Sequence, residues 1–161
     1  MKAVVLTIST SVAAGQSEDL SGDALAEHLA SAGAEIVAQE TVTDDRAQIE
    51  AALRRHVQGG ADLILTTGGT GLTPDDVTPE ATRAVIERDA PGFAEAMRAE
   101  SLRHTPLGIL TRGVSGIAAR TLIINFPGNP KAIGELFPVI APTLAHAVAT
   151  LGREGGRRAH H

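Results

Sequence analysis

Cysteine, tyrosine and tryptophan are absent, and phenylalanine occurs only at Phe93, Phe126 and Phe137. Without thiols the chain can build neither disulfides nor thiolate metal sites, which suits a reducing compartment. Without aromatic stacking platforms it lacks the surface on which single-stranded nucleic acid is held. Its formal net charge of −5 adds no attraction for a phosphate backbone. No nucleic-acid partner is expected. No run approaches the ~20 apolar residues of a membrane span. The opening Met1–Leu6 passes into polar Ser9-Thr10-Ser11 too early for a signal peptide. The expectation is a cytoplasmic protein with no membrane partner. Nor do the histidines pair at i,i+4 as helical metal ligands, and no G-x-S-x-G elbow offers a nucleophile. Covalent hydrolase chemistry is disfavoured.

What is present is an ordinary globular composition, 43% hydrophobic and 20% charged, in a length suited to one domain. The apolar run Lys2 to Ser9 predicts a strand buried on both faces. A polar loop follows, and Ser21 is placed to cap a helix reaching Ala32. Ala34 to Val42 predicts a second strand, and Thr43 or Asp44 opens a helix with Ile49, Leu53 and Val57 as its buried stripe. Ala61 to Thr66 predicts a third strand. Thr78-Pro79-Glu80 combines a hydroxyl cap, proline at the first helical position and an acid in the first turn. That helix is expected to reach Asp89, and another carries Phe93 and Met97. Strands are expected near Leu107 to Thr111 and Thr121 to Asn125, with helices filling the chain to Leu151. The alternation predicts a doubly wound, mostly parallel α/β sheet with ligands beyond the carboxyl ends of its strands. Residues 1–152 form the expected domain. Residues 153–161 are expected to be a disordered tail, and His160-His161 carry no functional weight.

The chemistry collects at those carboxyl ends. Thr66-Thr67-Gly68-Gly69-Thr70-Gly71 places three glycines in six residues at a strand end. The glycines permit positive φ and close ligand approach, and backbone N–H groups with threonine hydroxyls can hold an anion. The spacing is neither a Walker A loop nor G-x-G-x-x-G; a plain tight turn is the competing reading. Asp75 and Asp76 follow, near the Thr78 and Glu80 helix start. They could hold Mg²⁺ against phosphate oxygens or merely complement the helix dipole. Asp44 sits at the same expected edge, as a converging acid or an N-cap. Ser9, Ser11, Asp19, Ser21 and Gly22 form a polar cluster after the first strand. Asn125-Phe126-Pro127-Gly128-Asn129-Pro130 is a rigid turn suited to a flat or polar ligand, or a connector. Arg112 could neutralise a phosphate or lie solvated on the surface.

In combination these residues resemble the molybdopterin adenylyltransferase family of molybdenum-cofactor biosynthesis, including the matching domains of gephyrin and its plant counterpart. The resemblance rests on Asp19 to Gly22, the Thr66 to Gly71 loop and Asp76-Val77-Thr78-Pro79-Glu80-Ala81-Thr82. Pro91-Gly92-Phe93 with Met97-Arg98, Thr111-Arg112 with Gly116, and Asn125 to Pro130 with His146 add to it. Together they cover nearly the whole chain in order. The resemblance implies the three-layer fold of that family and transfer of AMP from ATP to the terminal phosphate of molybdopterin, with Mg²⁺. It also implies a homotrimer or hexamer and contact with a molybdate-inserting enzyme. The family's two functionally important aspartates fall on Asp44 and Asp76. Thr111 stands where the family has serine, and Phe126 where leucine is more usual. A silent pterin-binding carrier is the alternative expectation. A molybdate-inserting or scaffold module fits less well, since such domains sit in longer chains.

Overall fold

A computed structural model describes residues 1–153. Apart from Arg153, the expected tail lies outside the described residues. Strands β1 (Lys2–Ile8), β2 (Glu35–Val42), β3 (Leu63–Thr67), β4 (Arg88–Asp89), β5 (Ser115–Ala118) and β6 (Thr121–Phe126) form one sheet in the order β2-β1-β3-β6-β5-β4. The four strands β2, β1, β3 and β6 are parallel. β5 runs antiparallel to both β6 and β4.

Helices α1 (Thr10–Ala13), α2 (Leu20–Ser31), α3 (Arg46–Gln58), α4 (Thr78–Val85), α5 (Gly92–His104) and α6 (Pro130–Leu151) connect them. The period of two along each strand divides the apolar residues between two cores. Ala3, Val5, Leu63, Leu65, Leu122, Ile124 and Phe126 pack with Leu25 and Leu29 of α2, Met97 of α5 and Ile133, Phe137 and Ile140 of α6. Val4, Leu6, Ile8, Ile64 and Ile123 pack with Ile49 and Leu53 of α3 and Ala81 and Val85 of α4. This is the expected three-layer architecture. The Phe126 ring is fully buried and meets Phe137 with ring centroids 6.4 Å apart.

Several local expectations are corrected. Leu107 to Thr111 is no strand: Pro106–Leu110 is a 3₁₀ helix capped by Thr105, whose hydroxyl accepts from Leu107 N–H. The strands that complete the sheet are β4 and β5 instead. α4 ends at Val85, before Asp89, and the loop after β1 contains α1. Asp19, not Ser21, caps α2, and Asp45, not Asp44 or Thr43, caps α3. Val57 is only half-buried. One continuous helix, α6, fills the stretch to Leu151 despite Pro138 and Pro142 within it. It is also long and apolar enough to cross a membrane, contrary to the sequence reading. Here it packs Ile133, Leu136, Phe137, Ile140 and Leu144 into the core.

Candidate functional site

The parallel strands bring four chain segments to one edge: Ser9 after β1, Asp44 after β2, Gly68 after β3 and Pro127 after β6. The chain leaves β1 toward β2 on one side and later returns as β3 on the other. That reversal is the topological switch point where open α/β sheets bind ligands. A cleft of about 410 Å³ opens there. Ser9, Ser21, Asp44, Thr67, Gly68, Gly69, Asp76, Gly128 and Pro130 line it.

The glycine loop is held from both sides. Gly68 and Gly69 have φ of +97° and +68°. A Cβ on Gly68 would collide with the Ile8 carbonyl oxygen, and one on Gly69 with the Thr78 hydroxyl. Gly68 N–H donates to Phe126 O at 3.1 Å, so this amide is not one of the free donors the sequence suggests. Among the described residues, the amides of Gly69, Thr70 and Gly71 have no intramolecular acceptor. The threonine hydroxyls are mostly committed to the scaffold. Thr67 Oγ1 donates to Pro127 O at 2.8 Å, and buried Thr66 accepts from Asn125 Nδ2 at 2.9 Å. Thr78 is the first residue of α4, not its cap; its hydroxyl donates to Gly68 O at 2.9 Å. Thr70 is buried, its carbonyl accepting from Arg112 N–H.

The two acid pairs split in the same way. Asp44 faces the cleft while Asp45 accepts from Gln48 N–H as a cap; Asp76 faces the cleft while Asp75 is exposed outside it. Asp44 Oδ2 accepts from Thr10 N–H at 3.1 Å and Thr10 Oγ1 at 2.9 Å. Asp76 Oδ2 accepts from Thr73 N–H at 3.0 Å and Thr73 Oγ1 at 2.9 Å. Each carboxylate is thus fixed by one threonine through one oxygen. The Oδ1 atoms have no intramolecular donor among the described residues.

After β1, Asp19 accepts from Thr7 Oγ1 and from Gly22 N–H at 3.0 Å. A Cβ on Gly22 would strike both Asp19 and Thr7, so glycine is required for that contact. Asp19 and Gly22 are therefore engaged in bracing β1 against α2. Ser9 Oγ and Ser11 Oγ lie 3.2 Å apart, with Ser11 exposed outside the cleft lining.

The Asn125 side chain is buried and fully engaged. Nδ2 donates to Thr66 Oγ1 and Thr82 Oγ1, and Oδ1 accepts from Val114 N–H at 3.1 Å. Asn129 caps α6 by accepting from Lys131 N–H. The Pro127 to Pro130 turn is a shared wall. Gly128 and Pro130 face the 410 Å³ cleft, while Pro127 and Asn129 face a second, mainly apolar cavity of about 250 Å³. That cavity also has Met97, Leu107, Thr111 and Leu136 in its lining. A larger groove, about 850 Å³, lies between α4, α5 and β4; Arg98 and Arg112 are in its lining, and Asp44 and Asp76 are not.

Arg112 is not a solvated surface residue. Its guanidinium donates to Gly71 O, Asp76 O and the Glu80 carboxylate, at 2.8, 2.7 and 2.5 Å. That hydrogen bond is the main reason the Glu80 carboxyl is held below the ordinary glutamate range, burial opposing it. Among the described residues, Glu80 Oε2 is buried without a partner. The sequence reading assigns no role to Thr7, Thr10 or Thr73, nor to Glu18, which lines the cleft. The Thr73-to-Asp76 spacing was a readable signal, since a hydroxyl three residues from an acid commonly closes a turn. Thr10 meets Asp44 across 34 residues and left none.

Fold and cleft together define a doubly wound α/β domain with an open cleft at its switch point. The sequence pattern of the family described as probable molybdopterin binding domain matches residues 4–146, and the chain belongs to that family. It is 41% identical over 147 residues to the molybdopterin adenylyltransferase of Helicobacter pylori strain J99, covering 89% of this chain and 84% of that protein. It is 40% identical over 150 residues to the molybdenum cofactor synthesis protein cinnamon of Drosophila melanogaster, covering 92% of this chain but only 25% of that one. Among solved structures, the molybdopterin biosynthesis enzyme MoaB from Thermus thermophilus superposes with a TM-score of 0.88. It shares 44% identity, covering 93% of this chain and 95% of that one.

Proposed function

We propose that this chain transfers AMP from ATP to the terminal phosphate of molybdopterin. An oxygen of the molybdopterin phosphate attacks the α-phosphorus of ATP, and the bond to the oxygen bridging α and β breaks. Pyrophosphate leaves with that electron pair. The acceptor phosphate is largely ionised near neutral pH, so no side chain need remove a proton. The barrier to lower is the approach of two anions, which calls for positioning and charge compensation.

The observation that carries this reading is the convergence of Asp44 and Asp76 on one cleft beside unpaired amides of the glycine loop. The amides of Gly69, Thr70 and Gly71 suit phosphate oxygens. Mg²⁺ typically takes one or two carboxylates and completes its shell with phosphate oxygens and water. Asp44 and Asp76, each with one oxygen anchored and one unpaired, fit that donor set. No cluster of three or more metal-ligating side chains occurs among the described residues, so substrate would complete the shell. When bound, the ion would screen the two phosphate groups from one another. The second cavity across the Pro127 to Pro130 turn offers an apolar wall to a flat ring system.

Incubating the protein with molybdopterin, ATP and Mg²⁺ should yield adenylylated molybdopterin, detected by mass spectrometry. Asp76→Ala should lower its rate at least about 100-fold, as loss of a charge-organising group at a phosphoryl site does. Tight pterin binding by the parent protein with no turnover would instead mark a carrier. We also infer a homo-oligomer that passes its product to a molybdate-inserting enzyme. Leu102, Leu107, Ile109 and Leu110, all exposed at adjoining elements, support burial of an apolar surface between subunits.

A further inference from the structure

Arg112 grips the Gly71 to Asp76 loop at both ends. Its backbone N–H donates to Thr70 O at 2.8 Å. Nε donates to Gly71 O at 2.8 Å, Nη2 to Asp76 O at 2.7 Å, and Nη1 to Glu80 Oε1 at 2.5 Å. A guanidinium is planar and presents its donors in a rigid fork. Two carbonyls bound to one such plane have their separation fixed, and with it the span of the loop between them. Inside the loop, Asp76 N–H donates to Thr73 O at 3.0 Å, while Thr73 holds Asp76 Oδ2 through two donors. The carboxylate is oriented by Thr73, and the turn that carries both is oriented by Arg112. Gly71 belongs to the same arrangement: a Cβ there would come within 2.8 Å of Asp76 Oδ2.

A second arginine stands behind the first. Arg98 of α5 donates from Nε to Thr111 O at 3.2 Å and from Nη2 to Gly113 O at 3.0 Å. These carbonyls flank Arg112, so Arg98 fixes the backbone from which Arg112 extends. The acceptors of both arginines are protein oxygens, and each of the three guanidinium nitrogens of Arg112 donates one of its N–H groups to the loop or to Glu80, three of the five donors in all. We infer that Arg112 is the positioning residue for Asp76, braced by Arg98, and does not itself bind the substrate phosphate. The inference rests on the reading that Asp76 serves phosphoryl transfer.

The test compares Arg112→Lys, Arg112→Gln, Arg98→Gln and the milder Glu80→Gln with the parent protein, each checked for folding by circular dichroism. Amide hydrogen exchange in the free protein should speed up at least about tenfold in the arginine variants at Thr73 and Asp76, whose amides are bonded within the loop, as local opening of a loop does. Glu80→Gln should give a smaller increase, and the sheet should exchange as before. In turnover, kcat should fall about 100-fold, the loss expected of a displaced group. KM for both substrates should stay within about threefold. Lysine should not rescue, because it keeps the charge and loses the fork. Unchanged loop exchange would overturn the inference. So would a raised KM with kcat preserved and restored by lysine, since that pattern marks direct phosphate contact. If the parent protein forms no adenylylated product, the functional reading fails, yet the exchange comparison still decides whether Arg112 sets the loop.

Discussion

Individual residues at the sheet edge are constrained for different reasons, and substitutions should separate them. Gly69 has positive φ, and its Cβ position is filled by Thr78 Oγ1. Gly69→Ala should therefore cost about 1–3 kcal/mol, read as a lowered urea midpoint. Gly71 has no positive φ, and its crowding is against Asp76 Oδ2. Gly71→Ala should keep stability within about 1 kcal/mol of the parent while slowing adenylylation markedly. A Gly71→Ala protein with full activity would show that the Asp76 carboxylate tolerates displacement. The glycines, prolines and paired aspartates were legible in the sequence, because their chemistry is local. Which aspartate of each pair faces the cleft was legible only through the family resemblance, which singles out Asp44 and Asp76, and not from local chemistry, since Thr10 reaches Asp44 only after β1 and β2 have paired.

At the scale of elements, long apolar runs identified β1, β3 and β6, and proline with an acid marked the start of α4. β4 and β5 escaped notice for a physical reason. Arg88–Asp89 is short and exposed, and Ser115–Ala118 lacks β-branched residues apart from Ile117. The apolar Leu107 to Leu110 run imitated a strand, although Pro106 and the Thr105 cap bend it into a 3₁₀ turn. The Arg112–Glu80 pair joins the start of α4 to the segment between the 3₁₀ turn and β5, and it should leave a mark on acid stability. The lowered Glu80 pKa means its contribution is fully present above the ordinary value of 4.5. It is lost as pH falls through the lower folded-state value. Glu80→Gln should flatten that part of the stability–pH curve measured by chemical unfolding. An unchanged acid limb would mean that the pair contributes little in solution. With both side chains more than a third exposed, 35% and 39%, the effect should be modest.

The whole molecule presents an apolar patch around the end of α5 and the following 3₁₀ turn, with Leu107 67% and Ile109 71% exposed. Such surface on a small domain favours burial between copies. Sedimentation at micromolar concentration should reveal a species larger than a monomer, and Ile109→Asp should shift it toward smaller ones. A strictly monomeric parent protein would contradict that expectation. The sheet gathers its ligand-facing segments on one edge, so both phosphate groups of the proposed reaction must meet there. The most direct measurement is the fate of label from ATP carrying ³²P at the α-phosphate, in a single turnover with molybdopterin and Mg²⁺. The expected result is label joined covalently to the pterin, unlabelled pyrophosphate in equal amount, and no transfer by Asp76→Ala. Label left in ATP, or recovered only as free AMP, would contradict AMP transfer at this cleft.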